Sequence, residues 1–184
     1  MTAETARQER AARRRQQILD VARKRADAEG WSAVTTRHLA GAIGFTQPVL
    51  YGHFPGGKAE IMLAIAIEGF SELAHLCRAA IDEERAPIEA VSLAYLKFAS
   101  EHPAVYEAMF QQSIDAEFAS KDAPREMRDG FEVLREVLGD SSDGTVTETF
   151  WAALHGLSQL ERAGRLRDGC RGERVRELAQ RFID

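Results

Sequence analysis

The sequence predicts an all-α protein of about nine helices, and three observations carry that prediction. Helix-favouring Ala, Leu, Glu and Arg are abundant, whereas the 184 residues include only five prolines. Apolar residues recur every three or four positions through most of the chain, as they do on one face of a helix. The chain is 45% hydrophobic, which is enough to bury a core of packed helices. We expect no significant strand.

The first helix is predicted over residues 13–29, because its apolar side chains fall on one stripe. It ends before Gly30, a residue suited to a left-handed C-cap. Thr35 or Thr36 can cap a short second helix, and Gly44 ends that helix at a turn.

Thr46 is a good N-cap for the third predicted helix, which is broken at residues 55–57, Pro-Gly-Gly. Apolar stripes predict six further helices. They cover or centre on residues 58–81, 88–100, 103–110, 131–138, 146–163 and 174–183. We expect a loop within the polar stretch 111–124.

The composition favours a cytoplasmic protein. Cys77 and Cys170 are far apart and have no CxxC spacing, so we expect neither a disulfide framework nor a thiolate zinc site. The charged N-terminus lacks the apolar segment of a secretory signal. The longest apolar run, residues 61–67, is much shorter than the roughly 20 residues that cross a bilayer. We expect a soluble chain with no membrane segment.

Charge is divided unevenly along the chain. The net charge is −5, yet residues 1–60 hold ten Lys or Arg against six acidic residues, which leaves the remainder at −9. A cationic head on an acidic body is expected if only the head meets nucleic-acid phosphates. Solvated surface charge gives the same asymmetry in other proteins, so this pattern alone does not decide the function.

The sequence around Gly44 fits a helix-turn-helix. That motif needs a small residue where the helices cross, a glycine in the turn and an apolar residue inside the second helix. Ala40, Gly44 and Leu50 meet these needs in order. Three such positions often coincide by chance, whereas the wider sequence is more specific. It reads TTRHLA at 35–40 and GFTQPVLYGHF at 44–54, followed by Lys58.

This wider sequence closely resembles the DNA-binding domain of TetR-family repressors, from residue 13 to about residue 67. The resemblance implies a helix-turn-helix domain over residues 1–57 and an effector-binding and dimerisation domain over 58–184. Residues 151–157, WAALHGL, are similar to the Trp-His-Gly (WHG) signature of one C-terminal domain class in TetR-like proteins.

The resemblance and side-chain chemistry together indicate the DNA contacts. Gln47 can pair with adenine edges in the major groove, and Arg37 on the preceding helix is the best candidate for guanine. The other residues expected to face the major groove are Pro48, Val49, Tyr51 and His53. The residues expected to hold phosphates are Thr36, Tyr51, His53 and Lys58. Thr35, Thr46 and Gly52 complete the predicted DNA-binding set.

Two positions depart from the family pattern. The link at residues 55–57 is slightly longer than usual, which leaves the phosphate contact of Lys58 open. Gly52 stands where many relatives have a larger side chain, and we expect it to loosen the recognition helix by up to about 1 kcal/mol. The arginines before Ile18 either form a flexible phosphate-binding arm or belong to a solvated helix start.

Homodimerisation is expected through the C-terminal part. One recognition helix reads too few base pairs, so helix-turn-helix proteins commonly bind two half-sites as symmetric dimers. In the helix 146–163, Ala152, Gly156 and Ala163 lie among leucines and would let a partner helix approach closely. Together with 174–183, this helix is predicted to form the interface. Ordinary packing within one chain is the alternative.

A set of aromatic and polar side chains in the C-terminal part is typical of a ligand pocket. We predict that an apolar or aromatic small-molecule effector binds among them, tilts the helix 58–81 and changes the spacing of the recognition helices. For any single member, plain core packing is the alternative. The set is Tyr95, Phe98, His102, Tyr106, Met109, Phe110, Phe131, Trp151 and His155.

The sequence gives no indication of enzymatic activity. It has no HExxH, GxSxG, phosphate loop or CxxC, so we expect no catalytic residue, no cofactor and no metal. The predicted function is a DNA-binding transcriptional regulator that binds a palindromic operator as a homodimer and is released by an effector. Repression rather than activation is what the resemblance implies. A helical interaction protein that keeps the helix-turn-helix only as a scaffold is the alternative.

Overall fold

The computed structural model describes residues 2–81, 86–111 and 124–183. Within these ranges the chain forms nine α-helices, one short 3₁₀ helix and no strand, which confirms the all-α prediction. The α-helices are α1 Ala3–Glu29, α2 Thr36–Ala42, α3 Gln47–His53, α4 Gly57–Ile81, α5 Pro87–Glu101, α6 Pro103–Gln111, α7 Arg125–Leu138, α8 Thr145–Arg162 and α9 Arg171–Gln180. Most of the predicted loop 111–124 lies outside the described residues.

Backbone contacts divide the chain into two compact units. The first comprises Met1–Ala66 and Pro103–Ile114, and the second comprises Ile67–His102 and Asp115–Asp184. The boundary between the units therefore falls inside α4, after Ala66, whereas the resemblance implies a domain boundary after residue 57. In addition, α6 belongs to the first unit.

The core of the first unit is built from α1, α2 and α3. Ile18 on α1, Leu39 on α2 and Leu50 on α3 are all completely buried. The 3₁₀ helix Trp31–Ala33 contributes the Trp31 ring, whose Nε1–H donates to the Ala104 carbonyl of α6 at 2.9 Å. This hydrogen bond fastens α6 to the end of α1 within the same unit.

Several helix starts and one cap differ from the sequence prediction. α7 begins at Arg125, six residues before the predicted start at residue 131. α1 begins at Ala3 rather than at residue 13, because Thr2 caps it by accepting the Thr5 N–H at 3.3 Å. The arginines before Ile18 thus lie on a helix, and phosphate binding by them stays a prediction. Gly30 has a positive φ of 79° but an extended ψ of 164°, so it is not a left-handed C-cap. α9 begins three residues earlier than predicted, at Arg171.

In the second unit, α5 packs against α7, α8 and α9. The start of α8 is fixed by Asp140, whose carboxylate accepts the Thr147 N–H at 3.1 Å and the Thr147 hydroxyl at 2.7 Å. Hydrogen bonds from Ser142 and Thr147 hold the pKa of Asp140 well below its ordinary value. The carboxylate therefore stays ionised and satisfies an otherwise unpaired N–H of the first helical turn.

Glu161 joins α8 to α9. Its carboxylate accepts from Arg171 Nη2 at 2.8 Å and from Arg174 Nη2 at 2.7 Å. Burial raises the pKa of Glu161, but the hydrogen bonds and charges of the two arginines outweigh burial and leave the pKa below its ordinary value. This paired carboxylate holds α9 in place along α8.

Candidate nucleic-acid interface

The turn between α2 and α3 is closed by backbone hydrogen bonds. The Phe45 N–H donates to the Ala40 carbonyl at 2.9 Å, and the Gly44 N–H donates to the Gly41 carbonyl at 3.2 Å. Gly44 has a φ of 71°, a conformation that side-chain-bearing residues rarely adopt, as the sequence predicts. The turn therefore fixes the angle at which α3 leaves α2.

Threonines occupy the N-cap positions of both helices, but they act differently. The Thr35 hydroxyl accepts the His38 N–H at 3.2 Å and so caps α2. Thr46 is at the N-cap position of α3, yet its side chain makes no capping hydrogen bond. It is exposed, which leaves its hydroxyl available to solvent or to a ligand.

α3 has one buried face and one open face. Leu50 and, just past its end, Phe54 are completely buried in the first unit. On the other side, Val49 is 36% exposed and Tyr51 is 44% exposed. Gln47, Pro48 and Gly52 are exposed as well, and so are Arg37 and His38 on α2. The predicted reading surface is thus accessible from Gln47 to Gly52, whereas His53 at the end of α3 is only half-exposed.

Tyr51 lies against the start of α4. Its hydroxyl is 3.5 Å from the Thr36 hydroxyl, within hydrogen-bonding distance. Gly57 has a φ of 61°, and a Cβ built on it would lie 3.4 Å from the Tyr51 ring. Glycine at position 57 therefore permits the backbone turn, while a Cβ there would make only an ordinary van der Waals contact with the ring.

The start of α4 already has partners for some of its donors. The Lys58 ammonium donates to the Trp31 carbonyl. The Gly56 N–H donates to the Glu60 carboxylate at 2.8 Å, so this N–H just before α4 is satisfied. An ammonium group has three donors, so Lys58 can still offer hydrogen bonds to a phosphate while it is held by Trp31.

Two arginines of α1 contact the residues that flank α3, a feature that the sequence analysis missed. The Arg14 guanidinium lies 5.1 Å from the centre of the Phe45 ring, before α3. The Arg15 guanidinium lies 4.1 Å from the centre of the Phe54 ring, and its Nη1 donates to the His53 carbonyl at 3.1 Å. No periodic pattern in the sequence signals this pairing, because the partners lie far apart along the chain.

We expect Arg15→Lys to weaken DNA binding without changing its salt dependence. Lys keeps the positive charge but loses the flat guanidinium that stacks on Phe54, so the end of α3 is held less firmly. Affinity should fall by about 1 kcal/mol, or about fivefold, per protomer. Fluorescence anisotropy with a labelled duplex at several salt concentrations measures both quantities. The matched control is Arg13→Lys on the same turn, where no loss is expected.

The predicted effector residues are distributed over both units. Tyr106, Met109 and Phe110 belong to the first unit, where the Tyr106 and Phe110 rings are 4.7 Å apart. The remaining six belong to the second unit: Tyr95, Phe98, His102, Phe131, Trp151 and His155.

Within the second unit, three of the six side chains are buried in the packed core: Tyr95, Phe98 and Phe131. The other three, His102, Trp151 and His155, are partly exposed. Trp151 Nε1–H donates to the Tyr95 hydroxyl at 3.0 Å, and Tyr95 itself is buried. His102 is 3.9 Å from the Glu72 carboxylate. Burial lowers the pKa of the half-buried His155, which favours its neutral form. The set therefore contains apolar surface and a few hydrogen-bonding groups.

Phe98 also lines a groove of about 350 Å³ in the second unit. The groove lies between the C-terminal half of α4 and α5, with Lys97 and Glu101 as its charged members. Its apolar lining consists of Leu76, Ala79, Ala80, Ala90, Leu93, Ala94 and Phe98. The volume lies in the range of small-molecule sites.

A second groove, of about 590 Å³, lies between α8 and α9. Gly156 and Leu157 of α8 and Leu178 of α9 form part of its lining, and Leu160 is 45% exposed beside them. Apart from its chain neighbours and the local helix backbone, a Cβ built on Gly156 would meet no atom of the described residues within 4 Å. An interior helix glycine costs about 0.5–1 kcal/mol relative to Ala, and no packing contact among the described residues requires it here.

Neither a metal centre nor a membrane segment is found in the part of the chain that the structure describes. There, no group of three or more His, Cys, Asp or Glu is arranged to hold a metal ion. No helix among the same residues has the length and hydropathy needed to cross a membrane.

An exposed helix that follows a glycine turn, on a small three-helix core, defines a helix-turn-helix DNA-binding protein. Residues 18–65 match the family model described as bacterial regulatory proteins, tetR family. Residues 88–184 match the model described as tetracyclin repressor-like, C-terminal domain. The second match alone covers more than half of the chain, and the protein therefore belongs to the TetR family of transcriptional regulators. Its assignment to the WHG class stays a prediction.

Solved structures share the fold over most of the chain. A protein of unknown function from Rhodococcus sp. RHA1 is 19% identical, with 91% of this chain and 92% of that chain covered and a TM-score of 0.74. PfmR, a TetR-family regulator from Thermus thermophilus, is 20% identical, with 90% of this chain and 96% of PfmR covered and a TM-score of 0.60. A structure that addresses the control of antibiotic production by bacterial hormones is 20% identical, with 92% and 95% covered and a TM-score of 0.58. A comparison with curated proteins finds no match.

Proposed function

We propose that this TetR-family regulator is a repressor that binds a palindromic operator as a homodimer and releases it when a small molecule binds. The observation that carries the proposal is the division of α3 into two faces. Leu50 is completely buried in the three-helix core, whereas Gln47, Val49 and Tyr51 face outward. A helix whose buried face is packed on a core and whose other face is exposed to solvent can enter the major groove.

The open face offers the donors and apolar groups that read base edges. Gln47 can make a bidentate contact with adenine, and Pro48 and Val49 can touch thymine methyl groups. Arg37 projects from α2 and can contact guanine. We assign these residues to base reading.

We assign the phosphate contacts to side chains at the edge of this face. They are Thr35, Thr36, Thr46, Tyr51, His53 and Lys58, with Gly52 allowing close approach. Because Lys58 already donates to the Trp31 carbonyl, we expect its contribution to be smaller than that of Tyr51. Contacts of this kind position the protein on the duplex without selecting its sequence.

The groove between α8 and α9 is the proposed homodimer interface. Exposed Leu160 and the open space at Gly156 fit the close approach of a partner helix. The Glu161 bridges to α9 hold both sides of this groove in register. A two-fold axis there would present two copies of α3 to one duplex.

We assign the effector to the second unit, at the groove between α4 and α5 that Phe98 lines. Its mostly apolar lining fits an apolar or aromatic molecule, and Lys97 can pair with an acidic group on it. α4 contributes residues to both units, so a shift of its second half can reach the DNA-binding domain. A similar structure concerns bacterial hormones, which agrees with small-molecule control. Because a bacterial operator lies in the cytoplasm, we assign the protein to that compartment.

Selection from a random DNA pool with the purified protein tests the DNA-binding part. We expect an enriched, two-fold symmetric site whose affinity falls steeply as salt rises. Failure to enrich any sequence would support the alternative, a helical interaction protein that keeps the helix-turn-helix as a scaffold.

A thermal-shift screen of apolar and aromatic compounds tests the effector part. A compound that raises the melting temperature should also release the selected operator in an anisotropy assay. Leu93→Trp, which fills the groove, should abolish the thermal shift and preserve DNA binding. Binding that leaves the operator affinity unchanged would contradict the release mechanism.

A further inference from the structure

The first turns of α1 extend beyond the core of the first unit. Along α1, Ile18 is the first buried side chain among those that the structure describes, and most of the preceding ones are exposed. Residues 4–17 therefore form a helical arm about 20 Å long at 1.5 Å per residue. The arm carries five arginines against two glutamates. Core packing does not explain this charge.

Three of the arginines share one face of the arm. Arg7, Arg10 and Arg14 are spaced at i, i+3 and i+7, so they form a stripe along the helix. Glu9 lies on the opposite side of the helix and is 3.9 Å from Arg13. The stripe is therefore a continuous cationic surface.

Arg14 shows which way the stripe faces. Its guanidinium lies 5.1 Å from the ring of Phe45, the residue directly before the N-cap of α3. Because Arg7 and Arg10 share the face of Arg14, they lie on the same side of α1 as the contact with Phe45. The C-terminal end of the stripe thus lies beside the segment that leads into the recognition helix.

We propose that this arm is a second DNA-binding surface, which grips the sugar–phosphate backbone next to the base pairs that α3 reads. Guanidinium groups bind phosphates through two parallel hydrogen bonds, and successive arginines can follow successive phosphates. The contact adds affinity and leaves sequence selectivity unchanged. This inference rests on the proposed operator binding.

The test is the salt dependence of operator binding by the double variant Arg7→Gln/Arg10→Gln, measured by anisotropy with the selected duplex. Each phosphate contact contributes about 0.9 to the slope of log affinity against log salt, so losing four contacts in a dimer lowers the slope by about 3 to 4. Between about 50 and 200 mM salt, the affinity loss should then be about 100-fold smaller for the variant than for the unmodified protein. The preference for operator over scrambled DNA should stay the same.

Two further variants keep the result interpretable. Arg125→Gln/Arg128→Gln removes two exposed arginines at the same spacing on α7 and should leave the slope unchanged. Arg7→Lys/Arg10→Lys keeps the charge and should retain the slope. An unchanged slope in the Arg7→Gln/Arg10→Gln variant, or an equal drop in the α7 control, overturns the inference. Failure of the unmodified protein to bind any selected duplex overturns the proposed function itself.

Discussion

Gly156→Arg is expected to convert the protein to a monomer and to abolish high-affinity operator binding. The first atom of the new side chain has room, since a Cβ at this position would meet no described atom within 4 Å beyond its neighbours and the local helix backbone. It places a long charged side chain in the groove between α8 and α9, where a partner helix is proposed to pack. Losing the second half-site removes the gain from linked binding, which is about 100- to 10,000-fold. Sedimentation velocity and anisotropy measure the two effects.

The matched control for this variant is Gly172→Arg. Gly172 is an exposed helix residue of the same unit, with equally open space around it, and it does not line the groove. We expect this variant to stay dimeric and to bind the operator. A Gly156→Arg protein that remains a dimer with unchanged affinity would place the interface elsewhere.

Gln47→Ala is expected to cause the second large loss of DNA affinity, and only for the operator sequence. A bidentate contact with adenine contributes about 1–3 kcal/mol, and a dimer loses it twice, so operator affinity should fall by about 2–6 kcal/mol. Because no charge changes, the salt slope and the affinity for scrambled DNA should remain as they were. Repeating the site selection with this variant should show relaxed preference at one position in each half-site.

Gln180→Ala is the control for this prediction, since Gln180 is an exposed glutamine at the end of α9. It should bind like the unmodified protein. Equal losses on operator and scrambled DNA after Gln47→Ala would mean that Gln47 positions the protein and does not read a base.

The helix-turn-helix could be predicted from sequence because its determinants are local. Ala40, Gly44 and Leu50 lie within one short segment, and the structure gives Gly44 the positive φ that the turn requires. The contacts of Arg14 and Arg15 could not be predicted in the same way. They join residues more than 25 positions apart, and no periodic pattern signals such a pairing.

The start of α1 was missed for a different physical reason. Apolar periodicity detects only helices that bury a face, and none of the side chains described before Ile18 is buried. The Thr2 cap and charged side chains shape this segment instead. The effector set was hard to predict for another reason. Residues that line a pocket and residues of a packed core have the same helical spacing, so the sequence pattern does not distinguish them. Tyr95 and Phe98, for example, are each only 1% exposed.

Hydroxyl-radical footprinting on the selected operator tests the central claim most directly. If two copies of α3 lie in the major groove, two protected segments related by a two-fold axis should appear, separated by one helical turn of about 34 Å or a multiple of it. Gly156→Arg should remove both segments at concentrations that saturate the unmodified protein. A single protected segment, or a footprint that Gly156→Arg and Gln47→Ala leave intact, would contradict the claim.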